Sequence, residues 1–221
     1  MNNAKIIGIT QPMNMGESDM NVDEFIAYVA RVSNPSNQNN HLTANKLLKY
    51  LMKHKHWSPF EMVNVVMEIN TTRDIARQIL RHRSFSFQEF SQRYADPTKD
   101  LGFVIREARL QDTKNRQNSI ESDDIKLQKE WREIQDFIKD TVSRNYEWAI
   151  ENGIAKEQAR AILPEGMTNS RMYMNGTLRS WIHYCQLRMG PETQKEHREI
   201  ALDCWYAITE AFPSLKDSLE L

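Results

Sequence analysis

The sequence predicts an α+β protein in which helices outnumber strands. Three observations carry that expectation. Apolar residues recur at helical spacing in several windows, the longest being "IKLQKEWREIQDFIKDTVSRNYEWAIENG". Two shorter stretches, "AKIIGITQP" and "VNVVMEIN", are β-branched, and the second is the clearest strand in the chain. No internal repeat or low-complexity tract divides the 221 residues, a length that suits one substantial core, so residues 1–221 are read as a single domain.

The first strand, "AKIIGITQP", ends at Pro12. "VDEFIAYVARVSN" then places Phe25, Ile26, Val29 and Val32 at helical spacing behind Asn21, a capping residue type. "NPSNQNN" breaks the pattern and reads as a loop. "HLTANKLLKYLMKH" is a helix whose buried stripe is Leu47, Leu48, Leu51 and Met52. "HWSPFEM" is a turn before the strand "VNVVMEIN", and "TTRDIARQILRH" is a helix with a threonine cap. The polar stretch "QDTKNRQNSIESDD", about 111–124, is expected as a surface loop. The long helix after it ends at Gly153, and a shorter one, "AKEQARAILP", stops at Pro164. "GTLRSWIHYCQLR" and "TQKEHREIALDCWYAITEAF" are the last two helices.

Composition narrows the function classes. Charged residues at 27% and an AVILMFWYC fraction of 40% fit a soluble globular chain. With 29 Lys+Arg against 30 Asp+Glu the net charge is -1, so a general nucleic-acid binder is disfavoured and any basic site is local. Cys185 and Cys204 have no metal-type spacing and read as free thiols in a reducing compartment. The start lacks the basic region and long apolar run of a signal peptide. No stretch approaches the roughly 20 apolar residues that span a bilayer. The expected location is the cytoplasm, or a host's cytoplasm for a viral protein, with no membrane partner.

The chemistry concentrates in "RHRSFSFQEFSQRY", Arg81 to Tyr94. In the preceding helix Arg73, Arg77 and Arg81 repeat every four residues, with Gln78 beside them. No acid lies between Asp74 and Glu89, and such uncompensated arginine points to an external anion, because a guanidinium fork binds phosphate bidentately. Structural arginines bridging helix ends or subunits remain an equal alternative on these residues alone. A serine nucleophile is disfavoured: His82 precedes Ser86 by four residues, but no G-x-S-x-G elbow is present. A single-stranded nucleic-acid groove built from Arg77, Arg81, Arg83 and the aromatics is the alternative of a different class. His54 and His56 lack further nearby ligands, so no metal is expected.

The order Arg81-His82-Arg83, Ser86, Ser91, Arg93 resembles the R-H-R-x-x-S-x-x-x-x-S-x-R signature of flavin-dependent thymidylate synthases. "HWSPFE" is similar to that family's H-x-[ST]-P-F-E segment, "EQARAILP" to its E-x-x-R-x-x-L-P stretch, and "LRSWIHYCQLR" to its L-R-S-[WL]-x-[HN]-x-x-x-L-R helix. "ARVSN" and Gln78 also match family positions, and all the matches follow the family order. The resemblance implies an α+β sheet flanked by helices and a homotetramer with active sites shared between subunits. It implies synthesis of dTMP from dUMP, with methylenetetrahydrofolate as one-carbon donor, FAD as hydride carrier and NADPH as reductant.

The resemblance also implies residue roles. Ser58, Arg81, His82, Arg83, Glu89, Thr177, Arg179 and His183 would contact FAD, with His56 and Glu61 supporting that edge. Gln78, Arg81, Glu89, Phe90, Ser91, Gln92, Arg93, Arg160 and Arg188 would line the dUMP site, Phe90 and Gln92 through backbone groups. Arg188 would be catalytic, helping the uracil ring lose its N–H proton. A guanidinium stays protonated, so its contribution is stabilisation of developing negative charge. Two positions depart from the family pattern: Gln88 stands where asparagine is frequent, and Glu192 where a histidine often follows.

Overall fold

The computed structural model describes residues 3–13 and 20–216. The elements run β1 (Asn3–Ile9), α1 (Val22–Ala30), α2 (Ala44–Lys53), β2 (Asn64–Thr72), α3 (Arg73–Ile79), β3 (Ser86–Glu89), α4 (Pro97–Asp100), β4 (Arg109–Gln111), β5 (Ser119–Glu121), α5 (Ile125–Glu151), α6 (Lys156–Ala159), β6 (Asn169–Thr177), α7 (Leu178–Arg188) and α8 (Lys195–Ala211). β1, β2, β6 and β3 form one antiparallel sheet in that order.

Alternation explains why this sheet has one covered face. Val65, Met67, Ile69 and Thr71 of β2 are buried, and opposite them so are Ser170, Met172, Met174 and Gly176 of β6. Period-two geometry puts them on one side, where they join the core with residues of α1, α2, α3, α7 and α8. Gly176 is required there: a Cβ would lie 2.4 Å from the ring of Phe85. Trp181 is fully buried, and its indole N–H donates to the Val65 carbonyl at 3.0 Å, which fixes α7 to the sheet. A smaller cluster of Tyr146, Ala149, Ala159 and Leu163 joins α5 to α6.

The Asn21 cap forms as a full capping box, with Glu24 N–H on the Asn21 side chain and Asn21 N–H on the Glu24 carboxylate, both 2.9 Å. Gly153 adopts φ 77 just past α5, the left-handed conformation that ends a helix. Other expectations are corrected. Within the expected 111–124 loop, Ser119–Glu121 forms β5 and pairs with Arg109–Gln111, so 112–118 is the connecting loop of a hairpin, and Lys195 bonds Glu107 and Glu121 at its base at 2.7 Å each. Thr72 ends β2, and its hydroxyl donates to Asp74 rather than capping α3 through the backbone. The helix "AKEQARAILP" shortens to α6 and a 3-10 turn at Arg160–Ile162. Val32 is exposed beyond the end of α1. β3 and β6 were not expected as strands, yet β6 joins β2 to β3.

Candidate active site

The site begins where α3 ends. The backbone N–H of His82 donates to the Ile79 carbonyl at 3.0 Å, and this turn leaves His82 partly buried while Arg81 and Arg83 are exposed. α7 delivers Arg188 to the same place, and its Nε donates to His82 Nε2 at 2.9 Å across 106 residues of sequence. That nitrogen therefore accepts, so the imidazole is neutral. Burial first, then the Arg188 charge, pushes the His82 pKa from 6.5 down to about 4. The His82 ring stands edge-on to Tyr184 at 4.9 Å.

A polar chain continues inward from Tyr184. Its hydroxyl meets His197 Nε2 at 3.1 Å, and His197 Nδ1 meets Gln78 Oε1 at 3.2 Å. Gln78 Nε2 donates to Gln194 Oε1 at 2.8 Å, and Gln194 Nε2 to Glu196 at 2.9 Å. Arg109 closes the chain by donating to Glu196 at 2.5 Å. His197 is fully buried, and burial lowers its pKa to about 3, with Arg188 and His82 adding to the shift. Sequence reasoning passed over His197. The available signal was a histidine in the buried stripe that also holds Ile200, Ala201 and Cys204.

A second group gathers around Glu89 at the end of β3. Arg73 lies 3.3 Å from one carboxylate oxygen and Arg77 3.5 Å from the other, while Ser170 Oγ donates to Glu89 at 2.8 Å. Glu165 approaches the same arginines at 3.9 and 3.6 Å. The expectation of uncompensated arginine therefore holds for Arg81 and Arg83, which have no ion pair among the described residues, but not for Arg73 and Arg77. Both are matched by acids distant in sequence. Arg93 pairs with Glu157 at 3.1 Å, and Arg160 Nε donates to the Glu157 carbonyl. The Phe90 N–H is taken by the Arg171 carbonyl, and Ser91 Oγ accepts from the Arg93 N–H in a tight turn. Gln92 is buried with its side-chain Nε2 unpartnered.

A third group sits at the start of α7. Thr177 caps the helix, accepting from Ser180 N–H at 3.2 Å. Arg179 donates to Glu61 at 2.5 Å. Burial pushes Glu61 upward, but hydrogen bonds from Arg179 and Thr177 outweigh it and hold the carboxyl below its usual value. His183 stands edge-on to Trp57 at 4.6 Å, and burial followed by the Arg179 charge lowers its pKa. Ser58 and His56 are exposed nearby in sequence, and His56 contacts the rings of Tyr50 and His54. The chain thus brings Arg188 to His82 and Gln78 to His197. Among the described residues, no hydrogen bond or ion pair links Glu89, Ser91 or Arg93 to Arg188.

The fold is an antiparallel α+β scaffold, and the turn after α3 carries exposed Arg81 and Arg83 on either side of a neutral His82 that receives Arg188, a cationic grouping of the type that suits anions. The family profile described as "Thymidylate synthase complementing protein" matches residues 17–214. A protein named "Probable flavin-dependent thymidylate synthase" from Paramecium bursaria Chlorella virus 1 is 46% identical over 217 residues, 98% of each chain. A flavin-dependent thymidylate synthase from Synechocystis matches equally, 46% over 217 residues and 98% of each chain. A UMP/dUMP methylase from Streptomyces cacaoi, solved with 5-Br dUMP, shares the fold at TM-score 0.78 and 22% identity, covering 99% of this chain and 94% of its own. The chain belongs to the flavin-dependent thymidylate synthase family.

Proposed function

We propose that this single-domain protein makes dTMP from dUMP with methylenetetrahydrofolate, FAD and NADPH, replacing the uracil C5–H by C5–CH3. The observation that carries the reading is the Arg188–His82 hydrogen bond, which joins the two most specific family motifs in one spot. Atom balance requires a reductant: the transferred carbon arrives at the oxidation level of formaldehyde and leaves as methyl, so it gains a hydride. A flavin held by the residues named below would supply that hydride, with NADPH as the reductant that renews it.

The residues present fit a flavin. Arg81 and Arg83 have no carboxylate partner among the described residues, and Arg179 Nε is buried without a hydrogen-bond partner. Such donors suit a pyrophosphate. Thr177, His183 and Ser58, supported by Glu61 and His56, would complete this edge, and neutral His82 offers an uncharged ring surface. For dUMP, Gln78, Glu89, Ser91, Arg93 and Arg160 would hold base, sugar and phosphate. Buried Gln92 has an unpartnered Nε2 that also needs an acceptor. Phe90 is left with its carbonyl, since its N–H is spent.

Arg188 would act by charge. Its Nε is tied to His82, so the terminal nitrogens of the fork remain for the uracil imide. There they stabilise the negative charge left when the N–H proton departs. An active site shared between subunits, as the family resemblance implies, would be completed by a second copy of the chain. Trp131, Ile134, Phe137, Ile138 and Trp148 of α5 are exposed apolar surface suited to such contact, in line with a homotetramer. No helix of the described residues is long and apolar enough to cross a membrane, and cytoplasmic residence is part of the proposal. The nucleic-acid reading loses Arg77, which is paired with Glu89 and Glu165.

The test is spectroscopic and catalytic. The purified protein is expected to bind FAD, to bleach with NADPH in the absence of oxygen, and to form dTMP only with dUMP and methylenetetrahydrofolate. A colourless preparation that cannot be reconstituted with FAD would sink the proposal.

A further inference from the structure

We propose that His197 is a positioning residue, holding in place for dUMP the Gln78 side chain, whose polarity Gln194 and Glu196 set, and the Tyr184 hydroxyl; this rests on the function proposed above. The orientation can be derived from one end of the chain of hydrogen bonds. Glu196 as a carboxylate only accepts, so Gln194 must turn its NH2 toward it and its oxygen toward Gln78. Gln78 must then present NH2 to Gln194 and oxygen to His197. His197 Nδ1 consequently carries the proton, its Nε2 accepts, and the Tyr184 hydroxyl donates. One acceptor-only group thus sets the polarity of four side chains.

Both arms of His197 lead to the site. Through Gln78 it reaches α3, and the amide keeps one N–H and one lone pair for a ligand. Through Tyr184 it reaches the ring packed against His82, which receives Arg188. A residue needed for packing alone would be apolar, since burying an imidazole without partners is costly. Here the ring is fully buried in the α8 stripe with both nitrogens engaged.

The experiment compares His197→Leu, His197→Asn and Tyr184→Phe with Ile208→Ala, a buried α8 residue outside this chain of bonds. Each is titrated with dUMP while the flavin spectrum is followed, and KM and kcat are measured. His197→Leu is expected to keep FAD and to need about tenfold more dUMP for half the spectral change, the size of one lost orienting bond. His197→Asn should recover part of this, Tyr184→Phe should lose less, and Ile208→Ala should destabilise the fold without moving the dUMP midpoint. Wild-type dUMP dependence in the Leu variant, or an equal loss in Ile208→Ala, overturns the inference. If the Leu variant does not fold, wild-type behaviour in both the Asn and Phe variants overturns it. Nitrogen NMR of the wild type gives a readout independent of activity: a proton on His197 Nε2 rather than Nδ1 refutes the positioning even where dUMP turnover is normal. Absence of any dUMP effect in the wild type, with the Nδ1–H tautomer present, fails the functional reading instead.

Discussion

α3 and the turn that follows it feed two polar clusters that hold charge in different ways. Arg73 and Arg77, four residues apart on α3, meet Glu89 and Glu165, so two cations face two anions and the group balances itself. Gln78 and His82, at and beyond its end, belong to a chain of neutral side chains held by directional bonds. Neutral partners orient Arg188 without cancelling it, whereas Glu89 and Glu165 cancel the arginines they hold. The comparison teaches that an arginine-rich signature divides into charge available to a ligand and charge spent on the scaffold. Arg188, Arg81 and Arg83 fall on the first side, Arg73 and Arg77 on the second.

Arg188→Ala tests the first side and carries the largest expected effect. Turnover should fall by roughly a hundredfold or more, the scale of one lost preorganised donor, with FAD still bound. Single-turnover flavin oxidation in the presence of dUMP measures this, and near-normal rates would move Arg188 to the scaffold. Glu89→Gln tests the second side. It strands the largely buried Arg73 beside Arg77, and the expected cost is on the order of 2–3 kcal/mol, below a fully broken buried pair because Glu165 remains. Thermal unfolding should show it, whereas a variant as stable as wild type would mean that the pair contributes nothing.

Acid should separate the clusters further. His82 and His197 sit near 4 and 3 in the folded chain, below the free value of 6.5. Between those limits the unfolded chain binds more protons, so the stability that neutral imidazoles contribute is present above pH 6.5 and is lost as pH falls toward 4. Below that, folded His82 also protonates, and the Arg188 bond loses its acceptor. Midpoints of thermal unfolding from neutral pH downward should decline through this window, and His197→Gln should flatten part of the slope. A slope unchanged in that variant would remove His197 from the titration.

The sequence made the order of Arg81, His82, Arg83, Ser91 and Arg93 readable because local chain geometry needs no tertiary partner to be recognised. α1, α5, α7 and α8 were legible for the same reason: periodicity, the Asn21 cap and Gly153 are local signals. β6 escaped because its buried residues are Ser170, two methionines and Gly176, poor strand formers whose pairing with β2 and β3 decides the outcome. The compensation of Arg77 by Glu165 joins residues far apart in sequence, and so does the meeting of Gln78 with His197. Both depend on which helices pack together, and a local reading carries no such information.

The smallest expected effect belongs to the cysteines. Cys185 and Cys204 are wholly buried on α7 and α8, between the helices that carry the site. Burial pushes both thiols up, and each is left far from the thiolate that a nucleophile requires. Replacing both with alanine should lower stability by about 1 kcal/mol or more each through lost packing, while dTMP formation by the folded enzyme stays near wild type. A thiol-dependent thymidylate synthase would instead lose its chemistry outright. Complete loss of turnover in a folded, flavin-bound double variant would shift the catalytic centre from Arg188 to α7 and α8 sulfur, and the division between available and spent charge would no longer locate the reaction.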